Sequence, residues 1–350
     1  MTEPGAVATT GRAGAGSERE EAMRLIRGFL ADRRGTPAAG VDVVPLSGDA
    51  STRRYFRLRE SERTTVLALY PEPFVAEGFT FLSVHRLLDD FGLAVPEILG
   101  EDGPRGILLL EDLGDLTLQE VLRSASAAHR EELYRQAVKG LVVLQREAAR
   151  SPKNAACFQI AFDLEKLNWE LHYFLKHFLE GFRKRDLSVE DRALLAEHFH
   201  RLAEEIASWP RVLCHRDFHS RNLMLHRGSL FWIDFQDARM GPASYDLASL
   251  LRDSYVDLEE GFVAERAEEF RQMAAPEEPR DTFRRRFELM SVQRNLKALG
   301  TFGFMATVRG NPVYLPYMAG TLAHARRNLS RHPELQGLWR VLARHLEEIA

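Results

Sequence analysis

The spacing of apolar positions changes character partway along the chain. Near the start, Met23, Ile26 and Leu30 recur at helical spacing behind Ser17-Glu18-Arg19-Glu20, whose S-x-x-E form is a capping box, so a helix is expected over 17–34. Gly35-Thr36-Pro37 ends it. Short β-prone runs follow at 41–46, 55–58 and 65–69, separated by polar turns. A helix is expected over 74–91 on the apolar positions Phe74, Phe81, Val84, Leu87, Leu88 and Phe91. Ile98–Leu99 and Ile107–Glu111 read as strands around Glu101-Asp102-Gly103-Pro104. After Gly114 the period becomes helical: 116–123, 130–149, 163–180, 188–208, 258–273, 282–307 and 320–349. Strands are expected there only at 211–213, 222–225 and 230–233.

The pattern predicts an α+β chain: a Gly/Ala/Thr-rich tail over 1–16, a small β-rich lobe with a leading helix over 17–111, and a large helical lobe over 112–350.

Composition narrows the partners. Hydrophobic residues are 45% and charged residues 28% of 350, the balance of a folded globular protein. Forty-seven Lys+Arg against 51 Asp+Glu leave a net charge of −4, which lacks the basic excess of a nucleic-acid binder. No apolar run approaches the roughly 18 residues of a membrane span, and the N-terminal stretch lacks the basic and apolar regions of a signal peptide. Two cysteines, Cys157 and Cys214, make neither a disulfide framework nor a zinc site. A cytoplasmic protein with no nucleic-acid, membrane or protein partner is the expectation.

The chemistry concentrates in Cys214-His215-Arg216-Asp217-Phe218-His219-Ser220-Arg221-Asn222, which contains H-R-D-x-x-x-x-N, and in Asp234, 12 residues further on. Asn222–Leu225 leads out, His226-Arg227-Gly228-Ser229 turns, and Leu230–Ile233 returns. A hairpin brings its ends together, so Asp217, Asn222 and Asp234 are expected in one small volume. Phosphoryl transfer needs such a set: a carboxylate to take the proton of the attacking hydroxyl, and hard oxygen ligands to hold Mg²⁺ against the phosphates of ATP. Asp217 fits the first role, Asn222 and Asp234 the second.

These segments resemble the kinase-like phosphotransferases that include aminoglycoside and choline kinases. The wording is most similar to bacterial anomeric kinases of N-acetylmuramate and N-acetylglucosamine. The resemblance is carried by Gly48-Asp49-Ala50-Ser51-Thr52-Arg53-Arg54-Tyr55-Phe56-Arg57, by Leu109-Leu110-Glu111-Asp112-Leu113-Gly114, by His215–Met224, and by Ile233-Asp234-Phe235-Gln236-Asp237-Ala238 running on to Gly241-Pro242 and Tyr245–Leu250. It covers most of residues 40–255. It implies a bilobal protein-kinase-like fold, ATP with Mg²⁺, an amino-sugar acceptor and a sugar 1-phosphate product from cell-wall sugar recycling. Asp217 is then the base and Asn222 and Asp234 the Mg²⁺ ligands. Other small alcohols (an aminoglycoside, choline, homoserine) are the alternative acceptors, and a nucleotide-binding pseudokinase is the alternative outside the enzymes.

Within that frame, Gly48, Asp49, Ser51 and Thr52 form a phosphate-facing loop, and Glu111, Asp112 and Leu113 offer main-chain groups to adenine. The third strand, Val66-Leu67-Ala68-Leu69-Tyr70, lacks the lysine that protein kinases carry there, and no lysine precedes Lys139. Arg53 or Arg54, with Arg57 also available, is the candidate phosphate cation; the competing reading makes them solvated strand-edge arginines. Glu77 marks where a helix glutamate would be sought. His215, Arg216 and Asp246 are expected to orient the loop, with Asp246 also the N-cap of a helix over 247–252. Acceptor candidates are His219, Arg221, Gln236, Asp237 and Arg294, with Lys297 beside Arg294, and Arg252 and Asp253 further along. Asn168, Trp169 and Glu170 lie on a helix that caps the cleft in relatives; Trp169 reads as core rather than as a sugar platform.

Overall fold

Helical spacing on one element and twofold spacing on its neighbours build the first layer. In α1 (Ala13–Arg34), Ala22, Ile26, Phe29 and Leu30 fall on one stripe and are buried. They pack on Phe56 and Leu58 of β2 (Arg54–Glu60), Leu67 and Leu69 of β3 (Arg63–Leu69), and Ile107 and Leu109 of β5 (Ile107–Glu111), each an i, i+2 pair. With β1 (Asp42–Leu46) and β4 (Ile98–Asp102) these make a five-stranded antiparallel sheet of order β1-β2-β3-β5-β4. Met23, expected on the buried stripe, is only half-buried, one position off it. The helix also begins earlier than Ser17, so 13–16 is helical rather than part of a tail.

The computed structural model describes residues 13–34, 40–46 and 53–350, and the chain falls into two units. The smaller runs to Phe79 and resumes over Pro96–Asp112. The larger takes Thr80–Val95 and Leu113–Ala350. Gly48, Asp49, Ser51 and Thr52 lie outside the described residues.

The helix expected over 74–91 is shorter. Gly78 adopts φ +82°, which no α-helix passes through, so α2 is Thr80–Asp90. Phe74 and Phe79 instead stack at 4.0 Å, with Tyr70 edge-on to both. Glu77 therefore lies exposed before the helix rather than on it. Arg57 is also removed from the phosphate candidates. Its guanidinium grips Asp112 through Nε at 2.7 Å and Nη2 at 2.9 Å, and both side chains are buried.

Besides α2, the α-helices of the larger unit are α3 (Leu118–Leu122), α4 (Ala127–Arg150), α5 (Leu164–Phe174), α6 (Val189–Ala207), α7 (Tyr245–Leu251), α8 (Glu260–Ala274), α9 (Arg280–Thr307), α10 (Met318–Arg331) and α11 (Gln336–His345). Side-chain oxygens of Ser126, Asp163 and Ser188 cap α4, α5 and α6. The expected helix over 163–180 widens into a π-helix at Leu175–Phe182. The one expected over 320–349 is two, because Pro333 cannot continue α10. Two small antiparallel pairs carry the chemistry: β6 (Arg211–Cys214) with β9 (Arg239–Pro242), and β7 (Leu223–His226) with β8 (Ser229–Trp232). Strand β9 has no apolar alternation and is not visible in the sequence. Among the described residues no helix is long and apolar enough to cross a membrane.

A partly buried ion cluster ties α7, α8 and α10. Arg252 is 4% exposed and donates to Glu260 at 2.5 and 3.0 Å, and Arg327 and Arg331 converge on the same carboxylate. Burial raises the Glu260 pKa, but the hydrogen bond from Arg252 and the three guanidinium charges outweigh it and bring it down to about 2. A depressed carboxylate stabilises the fold above its unfolded value near 4.5 and loses that contribution as pH falls toward 2. Glu260→Gln is expected to cost roughly 2 kcal/mol at pH 7, the cost of stranding a buried arginine discounted for the partial exposure of Glu260. Urea unfolding across pH checks it: the gap from wild type should close between pH about 4.5 and 2, and a gap independent of pH would contradict the pairing.

Candidate active site

The β7–β8 hairpin turns on two residues, Arg227 (φ +50°) and Gly228 (φ +81°), with His226 and Ser229 as the last pair. That is tighter than the expected four-residue turn and suits the twist of the strands. At the open end, Ile233 N–H donates to Asn222 O at 3.1 Å. The Asn222 side-chain amide in turn donates to Asp217 O at 2.9 Å, and His219 N–H reaches the same carbonyl at 3.1 Å. His215 Nε2 donates to Ile233 O at 3.1 Å. Asp217, Asn222 and the residue before Asp234 are thus stitched into one knot. With its amide nitrogen spent on the loop, Asn222 presents its amide oxygen.

Two residues of this knot take left-handed backbone: Arg216 at φ +88° and Asp234 at φ +63°. Such residues cost energy and persist where their surroundings over-determine them. Asp246 supplies the constraint at Arg216, accepting from His215 N–H at 2.6 Å and Arg216 N–H at 3.0 Å. Burial pushes its carboxyl up to about 7 against the pull of those two N–H groups. It sits in the first turn of α7 rather than at its N-cap, which is Ser244. Asp253 acts alike on the far side, accepting from Ser220 N–H at 2.9 Å and Tyr255 N–H at 3.0 Å. Asp253 and its neighbour Arg252 are therefore structural rather than acceptor-facing. Gln236 donates to Asp234 Oδ1 at 3.0 Å and fixes that carboxylate's rotamer.

The Asp217 carboxylate faces cations. Lys297 Nζ is 3.3 Å away, Arg216 Nε 3.7 Å and Arg294 Nη2 3.9 Å. Burial alone raises its pKa; Lys297, Arg216 and Arg294 together hold it well below the usual carboxylate range. His215 and His219 go the other way, down to about 4 and about 3, chiefly through burial, so both are neutral.

Several acceptor candidates are placed elsewhere. Arg294 is 7% exposed and spends its guanidinium on Tyr245 OH at 2.7 Å and Ser249 Oγ at 2.6 Å. Arg221 lies 4.8 Å over the Tyr255 ring and 5.8 Å from that of Tyr314, a stacking position. Gln236 holds Asp234, and Asp237 pairs with Arg216 at 2.8 Å and Arg239 at 3.7 Å. His219 stays beside Asp217, edge-on to Tyr255. Trp169, expected as core, is 53% exposed. Lys297 and Glu170 are the residues that sequence undervalued. Glu170 is buried and accepts from Gln293 Nε2 at 2.8 Å. Helix α9 approaches α5 closely at Gly300, where a Cβ would meet the Phe174 backbone at 2.8 Å.

In the smaller unit, Glu111 N–H donates to Glu97 O at 2.8 Å and so is not an adenine donor. In the larger, Leu113 O accepts from His226 Nδ1 at 3.2 Å. Arg53 lies 5.9 Å from the Tyr70 ring and Arg54 5.6 Å from that of Phe56, both half-buried.

Comparison with known proteins bears on the family and the fold. Residues 42–282 match the model of the phosphotransferase enzyme family. An N-acetylmuramate/N-acetylglucosamine kinase of Neisseria meningitidis is 34% identical over 312 residues, 87% of this chain and 91% of that protein. Among solved structures, the choline kinase LicA of Streptococcus pneumoniae superposes with a TM-score of 0.59 at 14% identity, covering 89% of this chain and 99% of that one. The ADP-bound aminoglycoside phosphotransferase APH(2'')-Ib gives 0.57 at 14% identity, over 86% and 97%.

Proposed function

The chain belongs to the phosphotransferase enzyme family, and from that premise we propose that it moves the γ-phosphoryl group of ATP to the anomeric hydroxyl of N-acetylmuramate or N-acetylglucosamine, releasing ADP and the sugar 1-phosphate. The observation that carries the reading is the knot joining Asp217, Asn222 and the Ile233–Asp234 backbone, in a chain a third identical to a kinase of those sugars.

Asp217 receives the acceptor hydroxyl. A carboxylate held so far down is a weak base at equilibrium. Its work is to orient the hydroxyl and take the proton late, as the new P–O bond forms, which suits a loose phosphoryl-transfer transition state. Lys297 and Arg216 keep it ionised and aimed. Asp246 holds the strained loop that carries it.

Asn222 and Asp234 fit Mg²⁺. They offer hard oxygens, and two protein ligands suit an ion that fills its remaining positions with phosphates and water. Held there by Asn222 and Asp234, the ion would neutralise charge on the phosphates. Gln236 keeps Asp234 in place. Arg53 and Arg54 are the candidate cations for the nucleotide phosphates, since Arg57 is committed to Asp112. Gly48, Asp49, Ser51 and Thr52 remain proposed nucleotide-binding residues. This reading places the enzyme in the cytoplasm, where ATP is at hand and the buried thiols of Cys157 and Cys214 stay reduced.

A polycationic aminoglycoside would meet Lys166, Lys297, Arg216 and Arg239 around Asp217, which disfavours it. Radiolabelled ATP offered with N-acetylmuramate, N-acetylglucosamine, choline, homoserine and kanamycin decides the acceptor. Label in an acid-labile 1-phosphate of the N-acetyl sugars is expected; label only in the amino alcohols would overturn the reading.

A further inference from the structure

Among the described residues, the cations at and beside the Asp217 cluster are matched to partners, with Lys166 the exception. Arg216 and Arg239 share Asp237, Lys297 lies against Asp217, and Arg294 is held by Tyr245 and Ser249. Among the described residues no carboxylate comes within 4.0 Å of the Lys166 ammonium. Glu170, one turn along α5 and the natural partner by spacing, is turned inward onto Gln293. The ammonium rests instead 3.8 Å over the half-exposed ring of Trp169.

Lys166 nonetheless sits at the edge of the site. Just before α5, Phe162 N–H donates to Met240 O at 2.8 Å, and Met240 N–H to Ile160 O at 2.9 Å. This lashes the start of α5 to β9, whose Arg239 leads through Asp237 and Arg216 to Asp217. The amine accordingly feels Glu170, Arg216, Arg239 and Lys297, and its partial burial brings its pKa down. A cation held on an indole face, beside the Arg239–Asp237–Arg216 chain and with no carboxylate paired to it among the described residues, is a binding group waiting for an anionic ligand.

We propose that Lys166, steadied by Trp169, receives a carboxylate on the acceptor and sets the preference for an acidic N-acetyl sugar over its neutral counterpart. This rests on the acceptor reading above. N-acetylmuramate differs from N-acetylglucosamine by a lactyl ether whose carboxylate is ionised at neutral pH, so the two sugars form a matched pair of probes. A charge-assisted contact of this kind changes affinity by about tenfold to a hundredfold.

The test measures kcat/KM for both sugars in wild type, Lys166→Met, Lys166→Arg and Trp169→Leu. The acid-to-neutral ratio is expected to fall by about tenfold or more in Lys166→Met, to recover largely in Lys166→Arg, and to fall less in Trp169→Leu. A second arm needs no variant. In wild type, raising KCl should increase KM for N-acetylmuramate more than for N-acetylglucosamine, because a partly exposed ion pair is screened. An equal loss for both sugars in Lys166→Met would assign Lys166 to screening Glu170 and overturn the proposal. So would parallel salt dependences. A wild-type enzyme that phosphorylates neither sugar overturns the acceptor reading itself, a result distinct from an unchanged ratio.

Discussion

Asp217→Asn is expected to lower kcat by about a thousandfold while nucleotide affinity is retained, the scale of losing a positioned proton acceptor. The substitution keeps the side chain's size and removes its charge and its ability to accept the proton. It also strips Lys297 and Arg294 of their shared anion, so part of the loss could come from a disturbed fold. Two measurements separate these. Nucleotide titration and thermal melting report whether the protein is intact, and single-turnover transfer with bound ATP reports the chemical step. Intact binding with abolished transfer is the expected result. Unchanged turnover would remove Asp217 from the reaction.

Asp234→Asn is the second large effect. Gln236 donates to Asp234 Oδ1, and an asparagine can keep that hydrogen bond through its carbonyl oxygen. What it loses is the negative charge facing a divalent ion. Turnover is expected to fall by roughly a hundredfold or more, the range seen when a preorganised electrostatic contact is removed. The deficit should ease as Mg²⁺ or Mn²⁺ is raised, since the defect is one of metal affinity. Initial rates against metal concentration check this. A loss of the same size at every metal concentration would place Asp234 outside the metal site.

Much of this was legible in the sequence because it is local. Alternating apolar runs gave the strands of the small sheet. The spacing of Asp217, Asn222 and Asp234 across a hairpin is enough to bring them together. What sequence missed is set by contacts between distant segments. Strand β9 exists because Arg239–Pro242 pairs with β6, not because of its own pattern. Lys297 reaches Asp217 across 80 residues, and Glu170 reaches Gln293 across 123. Arg294 is a cation on the correct helix face, yet Tyr245 and Ser249 claim it. Arg57, available by sequence as a phosphate cation beside Arg53 and Arg54, is paired with Asp112. Residue type and spacing expose a motif's own chemistry. They do not reveal which neighbouring charges have already been neutralised.

Residues held in one knot do different work: Asp217 serves the acceptor, and Asn222 and Asp234 serve the ion. Electron paramagnetic resonance of Mn²⁺ titrated into the ADP complex tests this most directly. Wild type and Asp217→Asn should bind Mn²⁺ with the same affinity, while Asn222→Ala and Asp234→Asn each bind it about tenfold or more weakly, as removal of a charged or hard-oxygen contact demands. Equal Mn²⁺ binding by all four proteins would contradict the assignment.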